Sequence, residues 1–275
     1  MDNIRVKIDG RQLYHLRFAD DIVLITPNIR QAEHMFADFD KVCGKIALRL
    51  DLTKTMLMKN GFVSHTSALN GTNISECSSY IYLGHEINTM NDLALELSRG
   101  KRAAWGAFKS IGDVVKRRKN TRLRAHLFDS TELPAVTYAS ETWSLQRQGE
   151  RSIKVIERAV ERMMSGVSHS TQATEGIRSS ELRQRSKIKD AVLYSEQLKI
   201  RWVGHALRMN DNRWTGAVSD WIPLDVKRTA GRPSTWWSEF FAKSLGRRYV
   251  ARGIPRVSRT HRATLARNRE IWKIY

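Results

Sequence analysis

The chain has 275 residues, 41% of them apolar, which is enough to bury a core and argues against disorder throughout. Lys and Arg number 47 against 28 Asp and Glu, a net charge of +19 that favours polyanionic partners. Cys43 and Cys77 are far apart without Cys-x-x-Cys spacing, which argues against a disulfide framework or a zinc knuckle. No apolar run reaches the ~20 residues of a membrane span and no secretory signal is present, so an intracellular protein with reduced thiols and no membrane partner is expected.

Residues 4–26 alternate as strands and turns. Ile8-Asp9-Gly10-Arg11 reads as a tight hairpin corner in which glycine takes the positive φ. Between Leu13 and Thr26, apolar alternation flanks Ala19-Asp20-Asp21, the polar turn of a second hairpin with both acids at its tip. Adjacent carboxylates repel each other. A divalent cation relieves that repulsion and leaves positions open for phosphate oxygens, although paired Asp residues in ordinary turns are also common. A helix begins near Ile29, and Met35, Phe36, Phe39, Val42, Cys43 and Ile46 fall on one face, which is expected to pack in the core. Strand patterns return at 55–58, at 67–74 around the Asn70-Gly71 turn, and at 80–87.

After Asn88 the pattern is helical, with Leu93, Leu97, Ala104, Phe108, Ile111 and Val115 on one stripe. Residues 99–124 hold ten Lys and Arg and one acid, Asp113. Pro134 is expected to break the helical pattern. A helix follows over 149–164, with Ile153, Ile156, Val160 and Met163 inward. The Ser- and Thr-rich stretch 166–176 reads as a loop and domain boundary, and a single long helix is expected over 180–209. Trp214, Trp221, Trp236 and Trp237 alternate with aliphatic residues, which favours core anchors over base-stacking platforms. Gly231-Arg232-Pro233, flanked by Lys227 and Arg228, has the composition of a minor-groove arm, while Pro233 equally suits a helix N-terminus. Eight arginines between 247 and 269 meet no acid, and guanidinium groups grip phosphate by paired hydrogen bonds.

Phe18-Ala19-Asp20-Asp21, with its leading Leu-Arg and trailing Ile-Val-Leu, resembles the palm motif of non-LTR (LINE-type) retrotransposon reverse transcriptases. In the same order, Leu50-Asp51-Leu-Thr-Lys54-Thr55 is similar to motif D and Tyr82-Leu83-Gly84 to the motif E primer grip. Glu141-Thr-Trp143, Arg201-Trp-Val-Gly-His205, Asp211-Asn-Arg-Trp214 and the segment from Lys227 to Pro233 resemble the C-terminal region of RTE-like elements. The likeness covers nearly the whole chain.

The resemblance implies an α+β fold with an incomplete polymerase palm of short antiparallel strands over 1–90. A thumb-like helical region would follow over 91–170, then a basic, Trp-rich helical extension over 171–275. It implies that Asp20 binds Mg²⁺, Asp21 supports it, Lys54 sits near the leaving pyrophosphate and Tyr82-Leu83-Gly84 holds the primer terminus. Lys101, Arg102, Lys109, Arg117, Arg118 and Arg232 would contact nucleic acid, the partners being an RNA template and DNA primer, or RNA–DNA duplex, in the nucleus.

The family's first catalytic Asp and motif B have no counterpart in this sequence. Asp9 is better explained as a turn residue, and Asp51 stands where the family usually has Asn. Two-metal chemistry needs that further carboxylate, so the chain alone is expected not to polymerise. A hairpin lacking its neighbouring strands would also present an edge prone to association. The alternative is a basic nucleic-acid-binding protein without catalysis.

Overall fold

A computed structural model describes residues 7–8, 10–59, 68–69, 72–145, 147–209, 214 and 269–272. The chain divides into two compact units, residues 1–92 and 93–275.

The first unit is built from short strands and one helix. β1 (Lys7–Ile8) and β2 (Arg11–Gln12) pair antiparallel, with Gly10 at φ 74 in the connection, a conformation that costs glycine little. β3 (His15–Phe18) pairs with β4 (Asp21–Leu24), and the bond from Ile25 N to Tyr14 O (2.7 Å) extends the ladder. α1 (Ile29–Lys45) starts where the Asn28 side chain accepts from Gln31 N at 2.9 Å, an N-cap that satisfies one orphan donor. β5 (Met56–Met58) runs parallel to β8 (Ser75–Cys77), and the ion pair of Lys59 with Glu76 at 2.7 Å closes its end. β6 (Ala68–Leu69) pairs with β7 (Thr72–Asn73), and β9 (Ser79–Tyr82) with β10 (His85–Asn88). Among the described residues every ladder has two strands, so β3 and β4 each keep one edge free.

The apolar face read for α1 is only partly covered. Cys43 is buried, Met35, Phe36 and Phe39 are half-buried, and Val42 and Ile46 are more than half exposed. The expected core packing does not extend to the end of α1, where Val42 and Ile46 stay exposed. Cys43 and Cys77 are free thiols.

The second unit is helical. α2 (Ala94–Arg117) and α3 (Thr121–Val136) form an antiparallel pair whose link is capped by Asn120, which accepts from the backbone N–H of Arg122 and Leu123. α3 runs through Pro134. Proline in the last turn forfeits one backbone bond without ending the helix, and Thr137 N still closes on Leu133 O at 3.1 Å. A 3-10 turn (Ser140–Thr142) leads to Trp143, which is fully buried, and to α4 (Arg147–Ser165).

α5 (His169–Thr174), α6 (Ser179–Ser186) and α7 (Ala191–Arg208) follow. The single helix expected over 180–209 is two: Lys187 at φ 59 ends α6, and Asp190 caps α7 by accepting from Leu193 N at 2.9 Å. One cluster joins Leu97 and Ala104 of α2, Phe128 and Leu133 of α3, Ile153 and Val160 of α4, and Ile188 and Val192 beyond them. Residues 166–176, read from the sequence as a domain boundary, therefore lie inside one compact unit, because helices on both sides share its core.

Candidate functional site

The β3–β4 connection is shorter than the sequence suggests. Phe18 pairs with Asp21, so only Ala19 and Asp20 form the loop, and Asp21 is the first residue of β4 rather than part of the turn. Ala19 has φ 52, a conformation that costs a residue with a Cβ about 1–2 kcal/mol. Asp20 and Asp21 are both exposed, and Phe18 beside them is 62% exposed. Arg17 on β3 lies 6.0 Å from the centre of the Phe39 ring of α1, which ties the hairpin to the helix.

The primer-grip residues occupy a similar tip. Tyr82 pairs with His85 across a two-residue loop in which Leu83 (φ 51) and Gly84 (φ 77) are both left-handed. Such loops match the strand twist and normally take Asn-Gly, so Leu83 carries strain that glycine would relieve. The Tyr82 hydroxyl is pushed above its ordinary pKa, first by burial and then by the negative charge of Asp21. The two hairpin tips, sixty residues apart in sequence, therefore lie within electrostatic reach of one another.

The motif D segment is a compact turn. Asp51 Oδ1 accepts from Thr53 N at 3.0 Å and from the Thr53 hydroxyl at 2.6 Å, and Asp51 O accepts from Thr55 N and its hydroxyl. The hydroxyl bond from Thr53 is the main reason that the Asp51 carboxyl sits below its ordinary pKa, with the Lys54 charge adding to it. An amide oxygen could accept these bonds equally, so Asp in place of Asn preserves the turn. Lys54 is highly exposed, with Nζ 3.6 Å from Asp51. Tyr80 adds what sequence reasoning missed: its hydroxyl donates to Lys54 O at 3.5 Å, joining the lysine turn to the primer-grip hairpin. Its place two residues before Tyr82, on the same face of β9, was the available signal.

Asp20 and Asp21 supply two adjacent carboxylates, which suits Mg²⁺, an ion that binds one or two carboxylates and keeps waters for phosphate to displace. They do not suit a two-metal pair. Among the described residues no group of three or more His, Cys, Asp or Glu side chains could hold a metal ion.

In the second unit Lys101, Arg102, Lys109, Arg117 and Arg118 are all exposed, while Leu97, Ala104, Phe108 and Val115 form the buried seam of α2. None of the five makes an ion pair among the described residues. Arg183 contrasts with them: it meets Glu157 at 2.9 Å, Glu161 at 2.9 Å and Asp190 at 2.6 Å, pinning α6 and the start of α7 to α4. Glu157 is nonetheless raised to about 7, chiefly by burial and then by Asp190. Glu132, 1% exposed and without a hydrogen-bond partner among the described residues, is raised to about 8 by burial. Lys199, buried and donating to Trp143 O, is lowered to about 8 for the same reason.

Arg232, the Gly231-Arg-Pro233 arm, Asp9, the Asn70-Gly71 turn, Trp221, Trp236, Trp237 and the arginines from 247 to 267 lie outside the described residues. Trp214 is half-buried. Trp272 was not singled out in the sequence: its ring lies against Gly204 of α7, and its Nε1 donates to Ile200 O at 3.0 Å. No helix among the described residues is long and apolar enough to cross a membrane.

No family model matches the chain, and no solved structure matches it. A protein of Caenorhabditis elegans, described as uncharacterized and transposon-derived, is 30% identical over 272 residues, covering 97% of this chain and 96% of the relative. The chain belongs to that family of transposon-derived proteins.

Proposed function

We propose that the chain carries the metal-binding hairpin, lysine turn and primer grip of an RNA-directed DNA polymerase from a non-LTR retrotransposon, joined to a thumb-like helical unit. The observation that carries this reading is convergence within the first unit. The hairpin tip strained at Ala19 carries Asp21, whose charge acts on Tyr82, and the turn bearing Lys54 is bonded to Tyr80. Strained tips persist where the surroundings over-determine them, which is common at functional sites. In this role Asp20 and Asp21 hold Mg²⁺, Lys54 faces the leaving pyrophosphate, Tyr82-Leu83-Gly84 supports the primer end, and Lys101, Arg102, Lys109, Arg117 and Arg118 hold the backbone. The partners are an RNA template with a DNA primer, or their duplex, and the place of action is the nucleus.

One observation favours a second reading, nucleic-acid binding without catalysis by this chain alone: the described residues bring no third metal ligand to Asp20 and Asp21. Primer extension on a primed RNA template with Mg²⁺, with and without Asp20→Ala, separates the two. Extension that Asp20→Ala abolishes would refute the binding-only reading. Absence of extension, with duplex binding that weakens as salt rises, would support it.

A further inference from the structure

The outward face of α4 carries Arg147, Arg151, Lys154, Arg158 and Arg162, at steps of four, three, four and four residues. At 100° per residue these five fall in one narrow stripe, opposite the inward Ile153, Ile156, Val160 and Met164. The column runs about 22 Å along the helix. Arg147, Arg151 and Arg158 are exposed, Lys154 and Arg162 are half-buried, and none is in an ion pair among the described residues. Arg162 contributes only a long 3.4 Å bond to Gln172.

An inert, solvated helix face interleaves acids with bases at i,i+4, where opposite charges help and like charges repel. α4 departs from this along most of its length. Two of its three acids, Glu157 and Glu161, are turned inward to Arg183, leaving Glu150 as the one acid of the helix beside the stripe, and the successive members of the stripe are all cations. Arg147 also stands in the first turn, where the helix dipole disfavours a cation. A partner with regularly spaced negative charge removes these penalties. An anionic lipid surface is the weaker candidate, since the apolar face that would enter a membrane is committed to the protein core.

We propose that the α4 stripe is a binding track for a polynucleotide backbone, recognised through its phosphodiesters without sequence readout and independent of the basic face of α2. The inference stands on α4 itself and does not need the polymerase reading. The test compares the full chain with a variant carrying Arg151→Gln, Lys154→Gln and Arg158→Gln. A control loses equal charge from exposed sites in the other unit through Lys41→Gln, Lys45→Gln and Arg49→Gln.

Binding of fluorescent single-stranded RNA and of RNA–DNA duplex is followed by anisotropy across a salt series, and helical circular dichroism verifies folding. With single-stranded RNA, the α4 variant is expected to lose roughly tenfold or more in affinity and about 2 from the log–log salt slope, three cations at ~0.7 each. A larger change with the duplex would assign the track to paired strands. The control should change little, and Arg151→Lys with Arg158→Lys should bind like the parent. If the α4 variant and the control are indistinguishable with both oligonucleotides, the proposal is overturned. It is equally overturned if α4-dependent binding is found only with phosphatidylserine vesicles.

Discussion

The two units solve burial in opposite ways. The helical unit covers Leu133, Ile153 and Ile200 to 1% exposure or less, and even encloses Glu132, Glu157, Glu161 and Lys199. The strand unit leaves Phe18, Val42, Ile46, Leu48, Ile81 and Met90 largely in solvent, and among the described residues its ladders stop at two strands. Two-stranded ladders are marginal unless another surface covers them. Stability is therefore concentrated in the helices, while the strained tips that resemble catalytic motifs sit on the less supported unit.

The sharpest way to break this contrast is at Gly204. A Cβ there would collide with the Trp272 ring, so Gly204→Ala should expel the tryptophan and cost about 3–5 kcal/mol, read as a lower urea midpoint for the helical unit. Ile153→Ala, at a site with no exposure, should cost about 2–5 kcal/mol, whereas Ile46→Ala on the open face of α1 should cost under about 0.5 kcal/mol. Equal losses at the two isoleucines would erase the distinction between the units.

Buried carboxyls sharpen it through pH. Glu132 has a folded pKa near 8 against an ordinary 4.5, so its protonated form is favoured in the folded state. The contribution of this group is complete below about pH 4.5 and is lost as pH rises through 8, a decline on the order of 5 kcal/mol. Glu132→Gln should flatten that decline in thermal melts taken from pH 5 to 9. An unchanged slope would mean that Glu132 does not titrate as described. Smaller effects follow at caps and tips. Asn120→Ala should cost about 1 kcal/mol of helical stability, and Ala19→Gly should stabilise the strand unit by roughly 0.5–1 kcal/mol by relieving the φ of 52.

Much of the helical unit was legible because its periodicity reports burial directly: Leu97, Ala104, Phe108 and Val115 are read and found on one inward face. The break at Lys187 escaped notice because a left-handed lysine leaves no compositional mark, and helix through Pro134 survived because proline near the end removes only one bond. The α1 stripe misled for the converse reason. Amphipathic spacing shows which face could be buried, and whether a neighbour covers it depends on tertiary placement. At the site, Asp20 and Asp21 were legible as paired acids in a hairpin turn, whereas Lys54 and Tyr82 were named from motif order alone. The proximity of Asp21 to Tyr82, and the tie from Tyr80 to Lys54, depend on how two hairpins and a turn are placed, which spacing does not encode.

The central claim, that the paired tips engage the end of a primer, is tested most directly by mapping photo-crosslinks from a primer with a 3′-terminal 4-thiothymidine, annealed to RNA and bound to the full chain. The account predicts crosslinks at residues 82–84 and beside Asp20 and Asp21, reduced by Tyr82→Ala. Crosslinks confined to the helical unit, unchanged in that variant, would contradict it.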